Sequence, residues 1–544
     1  MPLQLWGGAE CSMVRVGDRL RDQLAETGHD VRASDLDLIS GLGIKTLRYP
    51  VLWEKIRYGM TDADWSWPDA RLKRLRELGI APVAGLLHHG FGPQPELALQ
   101  PQFPQAFAQF AEAVARRYPW IDAFTPINEP LTTARISGLY GLWYPHGRDE
   151  TLCFRLLVAQ CSAVAAAMAA IRKINPNARL VQTEDLGHIF STAPLRYQAD
   201  YENERRWLGL DLITGRVDRS HTFHERLIAA GVSETDLAQL VAQPCPPDLL
   251  GIDYYLTSDR FLDHRLWLYP HEPIGGNGIH VYVDAAAVRS PYRGRATLAA
   301  RIDEAWKRYR LPLALTEIHN GCTRDEQLRW LLEAWQTARA ARGKGIDLRA
   351  VTAWALFGMV DWNSMLLRRD RHYENGAFDI RCQPPRPTAL SRAIARLTSG
   401  ETYDHPVLDR PGWWQEESPS RMPARLLLLS GGGKMQKILE DCCRARRLAI
   451  ACCDPHPSDQ KLPDAAWSSI QVSSTAGGRR LICRYADGGL LDLEVDRSAD
   501  PHCVANACLD VLIDGPRGKA RLLCVMPANQ YQISFAAESA CPQR

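Results

Sequence analysis

Two periodicities share the chain. From residue 1 to about 400, short apolar runs of strand length alternate with longer stretches in which apolar residues recur at helical spacing. The strand-like runs are LQLWGG (3–8), KTLRYP (45–50), PVAGLLHH (82–89), DAFTPINE (122–129), RLVQTED (179–185), DLLGIDYY (248–255), LPLALTE (311–317) and LRAVTAWAL (348–356). Between them, segments such as FPQAFAQFAEAVARRY and LRWLLEAWQTARAARG carry one apolar face and read as helices. Eight strands, each followed by a helix or long loop, predict an α/β fold, a closed (β/α)8 TIM barrel. A doubly wound open sheet rarely runs to eight such units in one domain.

The pattern changes at Gly400. The stretch ETYDHPVLDRPGWWQEESPSRMPA (401–424) is proline-rich and poor in aliphatics, as a linker is. A second unit opens at RLLLLSGGGKM (425–435) and reads as strand, glycine-rich turn, helix and strand. The expected organisation is therefore a barrel over 1–400, a linker over 401–424 and a small Rossmann-like α/β domain over 425–544. A chain of 544 residues suits one large domain plus a smaller one.

Composition narrows the function classes. Hydrophobic residues make up 46% and charged residues 24%, as in ordinary globular proteins, and the formal charge is only +2. No Lys/Arg block offers a grip on nucleic acid. The N-terminus has no basic flank before an apolar core, and no uninterrupted apolar run reaches membrane-spanning length. These features predict a cytoplasmic protein without nucleic-acid or membrane partners, and they leave the oligomeric state open. Fifteen cysteines are spread thinly, and the pairs Cys442–Cys443 and Cys452–Cys453 lack the C-x-x-C spacing of a zinc site. Reduced thiols and no metal centre are expected.

In a (β/α)8 barrel the strands all end at one face, where active sites are built. The strand-final polar residues are Glu10 just past the first strand, Arg48, His88 and His89, Asn128 and Glu129, Glu184 and Asp185, Tyr255, Glu317, and Trp354 followed by Asp361. Because His88 and His89 are adjacent, only one of them is expected to face the pocket. Two carboxyl groups facing each other across a sugar are the minimal machinery for cleaving a glycosidic bond, one protonated and the other ionised. Different environments must hold their titrations apart. For Glu129 and Glu317 to act in this way, their side-chain oxygens must meet across one cavity, roughly 5–5.5 Å apart in a retaining enzyme.

The same residues resemble the family 1 glycoside hydrolases, the β-glucosidase-like retaining enzymes. PINEP looks like the family's T-x-N-E-P, and TEIHNG looks like T-E-N-G with two residues inserted. LRYPVLW, PVAGLLHHGFGP, GIDYYLTS and WALFGMVDW follow further family motifs in order over 1–400. The resemblance implies Glu129 as acid/base, Glu317 as nucleophile, Asn128 on the sugar 2-hydroxyl, and Arg48 and Tyr255 holding Glu317 ionised. It further implies His88, Trp354, Asp361 and Trp362 as substrate-binding residues, with no cofactor required.

The sequence departs from the family where sugar hydroxyls are bound. Val14 replaces a Gln, with Glu10 and Arg15 nearby as substitutes. Asp361 replaces a Glu, Asp253 replaces an Asn, and Ile318 and His319 occupy the turn after the nucleophile. The C-terminal stretch ANACLDVLIDGPRGKARLLCV is similar to the end of dTDP-4-dehydrorhamnose reductases, but no Y-x-x-x-K follows residue 425. That unit reads as a degenerate remnant. The expected function is a retaining β-glycosidase, hydrolysing or transferring a glycosyl unit of a carbohydrate substrate. The rival is a catalytically silent carbohydrate-binding or scaffold protein.

Overall fold

Eight parallel strands form the centre of the protein: β1 (Gln4–Gly8), β2 (Thr46–Pro50), β3 (Ala81–His88), β4 (Ala123–Asn128), β5 (Arg179–Asp185), β6 (Leu249–Asp253), β7 (Leu313–Ile318) and β8 (Leu348–Ala353). They close in the order β1-β8-β7-β6-β5-β4-β3-β2, with β2 pairing back onto β1. All eight coincide with the predicted runs to within a few residues. The computed structural model describes residues 2–269, 272–290, 297–415, 426–446, 448–452, 466–485, 490–514 and 531–536.

The barrel interior is packed, not hollow. Trp6, Val83, Ala123, Val181, Leu249, Ala314 and Ala350, from seven of the eight strands, form one cluster in which a single indole is accommodated by small partners. Outside, helices carry their apolar faces onto the strands. Phe103–Arg117 buries Phe103, Phe107, Phe110, Ala111 and Val114. It packs on Glu150–Ile174, whose side chains join the same core. That second helix is long and apolar enough by composition to cross a bilayer, and 61% of its apolar window is buried inside the protein. Arg155, Gln160 and Ser162 interrupt its apolar residues, so the helix reaches that mean hydropathy without being an unbroken apolar run.

Two loop systems extend the barrel on the strand-end side. A four-stranded sheet forms from Ile189–Ser191, Arg260–Asp263, Ile274–Gly276 and Val281–Ala286, in the segments after β5 and β6. A hairpin, Met13–Val16 with Arg19–Asp22, follows β1.

Part of the expected linker is packed. Arg329, on helix Arg324–Gly343, donates to the carbonyls of Val407 and Arg410, and Trp414 is buried with its indole N–H on Glu333. The remainder, 416–424, lies outside the described residues. The C-terminal unit has its own sheet: β9 (Leu426–Ser430), β10 (Ile450–Cys452), β11 (Ala466–Ser474), β12 (Gly478–Tyr485), β13 (Leu490–Asp496) and β14 (Tyr531–Ala536). The order is β10-β9-β11-β12-β13-β14. The predicted strand–turn–helix–strand opening is present, with β9 parallel to β10 and to β11. From β11 onward neighbouring strands are antiparallel, so the Rossmann-like arrangement spans three strands only. None of the twelve described cysteines is in a disulfide.

Candidate active site

Parallel register brings the strand ends together in pairs. Gly8 lies opposite Arg48, His88 opposite Asn128, Asp185 opposite Asp253, and Asp253 opposite Glu317. The last pairing depends on a register shift in β7 between Leu315 and Glu317. The shift frees both polar atoms of Thr316. Its carbonyl accepts from Arg48 Nη1 at 2.8 Å, and its hydroxyl donates to Asp253 Oδ1 at 2.6 Å.

Arg48 is the hub. Buried at the end of β2, it donates to Glu317 Oε1 (2.9 Å) and to Asn128 Oδ1 (2.6 Å), and it lies 3.7 Å from Asp253 Oδ1. Asn128 Oδ1 also accepts from Thr183 Oγ1 at 2.7 Å. With its oxygen engaged twice, the amide must turn its NH2 toward His88 Nε2. The second oxygen of Glu317 accepts from Tyr255 OH at 2.6 Å. Burial and the Asp253 carboxylate push the Glu317 carboxyl up, while Arg48 and Tyr255 act against them by favouring the ionised form.

Glu129 stands in contrast. It lies just past β4 with φ +44 and ψ +66, a left-handed backbone that costs a non-glycine residue about 1–3 kcal/mol. Pro130 follows at the first position of the short helix Pro130–Ala134, and the strand behind it is fully buried, so the turn is fixed from both sides. Among the described residues no arginine pairs with the Glu129 side chain; His89 lies beside it, with Nε2 3.9 Å from Oε2. Burial and the charge of Arg48 hold His89 down to about 3, so that ring is neutral. Burial, then Asp253 and Glu317, push the Glu129 carboxyl well up. One oxygen of each of Glu129, Asp253 and Glu317 lies within 4.8 Å of the others. Such a triad has the spacing to hold a cation, but the Arg48 guanidinium already supplies positive charge between two of its members.

Glu184, which the sequence leaves without a role, caps the turn that carries Glu129. Its oxygens accept from the amides of Leu131 and Thr132. Burial pushes its carboxyl up to about 8, against the pull of those two amides. A carboxyl raised in the native state contributes stability that is present at acid pH. That contribution is lost as pH climbs from about 4.3, the unfolded value, through the folded one. Glu184→Gln keeps one of the two acceptor oxygens and has no proton to lose. The variant's Tm relative to wild type is expected to be higher at pH 8.5 than at pH 5 by roughly 2 °C or more, on top of a pH-independent cost of the lost acceptor. A Tm difference that is the same at both pH values contradicts this.

Several sequence expectations change on contact with the geometry. Both histidines reach the site. His88 ends β3, and His89 turns back with φ +66, so its ring lies against Trp143 and Trp362 with Nδ1 on Thr133 Oγ1. Trp354, implied by the resemblance as a substrate-binding residue, is 2% exposed: His88 stacks parallel to it and Arg48 lies over its ring. It is a wall that holds those two side chains, and β1 makes room for it at Gly8, where a Cβ would sit 2.2 Å from the indole. Glu10 braces that wall. Its Oε2 accepts from Trp354 Nε1 and its Oε1 from Ser12, so it is not an open sugar contact. Asp361 is likewise committed, with Oδ2 on Arg21 at 2.9 Å and Oδ1 on the amide of His372. Arg21 comes from the hairpin after β1, a partner that sequence spacing did not suggest. Val14, from the same hairpin, sits in an apolar cluster with Ile136, Trp143 and Leu366. Trp362 packs on His89 and keeps a buried indole N–H without a partner. Asp253, read from sequence as a change at the sugar-binding end, belongs to the carboxylate cluster itself.

No family model matches the chain. Among solved structures, it is similar to a family 1 β-glucosidase from Thermotoga maritima, with a TM-score of 0.59 and 16% identity over 74% of this chain and 99% of that one. The same organism's β-glucosidase in complex with deoxynojirimycin (TM-score 0.59, 16% identity, 74% and 98% covered) and with cyclophellitol (0.58, 17%, 74% and 99%) is similar to the same degree. At this identity the likeness establishes the fold, the (β/α)8 barrel.

Proposed function

We propose that the protein is a retaining β-glycosidase in which Glu317 is the nucleophile and Glu129 the acid/base. The observation that carries this reading is the asymmetry of two neighbouring buried carboxyls, one gripped by Arg48 and Tyr255 and the other lacking any such donor. The approach of one oxygen of each to within 4.8 Å is on the side of the short carboxyl separation of retaining enzymes and well below the roughly 6.5–9.5 Å that inverting enzymes use. In the first step a Glu317 oxygen bonds the anomeric carbon while the C–O bond to the leaving group breaks and Glu129 gives that oxygen its proton. In the second, Glu129 takes a proton from water or from a sugar hydroxyl, whose oxygen displaces Glu317 from the same carbon. Asn128 offers its NH2 to the 2-hydroxyl, and Trp362 offers its free indole N–H. The similarity in fold to β-glucosidases supports a carbohydrate substrate. The C-terminal unit, lacking a Y-x-x-x-K, is assigned a packing or assembly role.

The test is a panel of aryl β-glycosides differing in sugar and in leaving group. Turnover is expected for at least one sugar. Glu129→Gln should cut kcat/KM for phenyl glycosides by about 10²–10⁴-fold, because the acid is needed there. Dinitrophenyl glycosides, whose leaving group departs without a proton, should be far less affected. The rival, a binding protein without turnover, draws support from the Arg21–Asp361 pair and the apolar cluster around Val14, which occupy space near Trp362. Saturable sugar binding with no turnover anywhere in the panel would establish it.

A further inference from the structure

A third carboxylate stands where two suffice. Asp253 ends β6, is fully buried, and has an oxygen within 4.8 Å of one oxygen of each of Glu129 and Glu317. The groups that face it are Arg48 from β2, Glu129 from β4, Asp185 from β5, and Thr316 and Glu317 from β7. Its two oxygens are unequal. Oδ1 accepts from Thr316 Oγ1 at 2.6 Å and is the atom 3.7 Å from Arg48, whereas Oδ2 is buried with no partner. One guanidinium cannot balance Asp253, Glu129 and Glu317, with Asp185 close by as a fourth carboxylate, so the buried cluster must carry a proton near neutrality. Glu317 is occupied by Arg48 and Tyr255; burial pushes the Asp253 carboxyl up, but Arg48 and Thr316 act against it by favouring the anion. Glu129 is left as the proton's place, with the orphaned Asp253 Oδ2 as the acceptor it can face.

We propose that Asp253 is a positioning residue for the site's mobile proton, holding it on Glu129. This rests on the glycosidase reading above and adds a consequence that the pair of glutamates alone does not have. When Glu317 becomes an ester it loses its charge, but Asp253 keeps its own. The carboxylate that helps Glu129 act as an acid in the first step therefore opposes the ionisation that Glu129 needs as a base in the second. Asp253 speeds glycosylation by poor leaving groups and slows release of the glycosyl-enzyme.

Asp253→Asn, nearly isosteric and still able to accept from Thr316, separates the two effects. At pH 7.5 in the full-length protein, kcat/KM for a phenyl glycoside is expected to fall at least about tenfold, with its alkaline limb moving down by about one pH unit or more. The kcat for a dinitrophenyl glycoside, which reports release, should rise. Stoichiometric labelling by a 2-deoxy-2-fluoro glycoside checks that the variant's site is intact. A fall in both half-reactions, or an alkaline limb that stays in place, overturns the role of Asp253 while leaving the glycosidase reading standing. Absence of both turnover and labelling in the wild type removes both.

Discussion

Glu317→Gln is expected to lower turnover by roughly 10⁴-fold or more, about 5.5 kcal/mol of lost transition-state stabilisation, and to abolish covalent labelling by a fluorosugar. The substitution keeps the shape and one acceptor oxygen for Arg48 but removes the negative charge proposed to attack carbon. It should leave the fold intact. Arg48 retains Asn128, the Thr316 carbonyl and the Asp253 carboxylate, so no buried cation is stranded. Substrate binding should persist, because the donors of Asn128 and Trp362 are untouched. Mass spectrometry of the labelled wild type should place the sugar on the peptide containing Glu317. A label on any other residue, or a variant that still turns over, would remove the nucleophile from the assignment.

The barrel was legible because its signal is local and repeated: each strand is a short apolar run, and eight of them ending on polar residues leave few alternatives. The pairing of Glu129 with Glu317 was legible for the same reason, since any two strand ends of a closed barrel share one face. What the sequence hid depends on backbone geometry or on long-range contacts. The left-handed turn at His89 brings in a ring that strand alternation assigns to the outside. The register shift at Thr316 aims its hydroxyl at Asp253. Arg21 meets Asp361 across 340 residues, and no spacing rule connects them. Glu184 caps a helix 53 residues earlier in the chain. In each case the residue type was visible and its partner was not, so chemistry could be placed at the barrel mouth while the wiring among its members could not.

That wiring makes Arg48 the most sensitive position for stability. Arg48→Met is expected to cost about 3–5 kcal/mol, because it strands buried carboxylates that a single guanidinium had served. It also removes the donor that fixes the Asn128 amide and the cation over Trp354. The pH dependence distinguishes lost charge from lost packing. With Arg48 present, the guanidinium opposes the effect of burial on Glu317 and on Asp253. Without it, both carboxyls rise further, and each then binds a proton in the native state that the unfolded chain has released above about pH 4. Stability in the variant must therefore fall as pH rises toward neutrality and recover on acidification. Its Tm deficit against wild type should be larger at pH 8 than at pH 5. The acid limb of kcat/KM, which reports ionisation of Glu317, should move to higher pH by about one unit or more, so that activity is lost first where the protein is most stable. Arg48→Lys keeps the charge but not the two-armed fork. It should recover most of the pH dependence of stability and little of the activity, because one ammonium cannot hold Glu317 and Asn128 together. A Tm deficit that is constant between pH 5 and pH 8 would show that Arg48 is valued for its packing on Trp354, and the electrostatic account of the nucleophile would then be withdrawn.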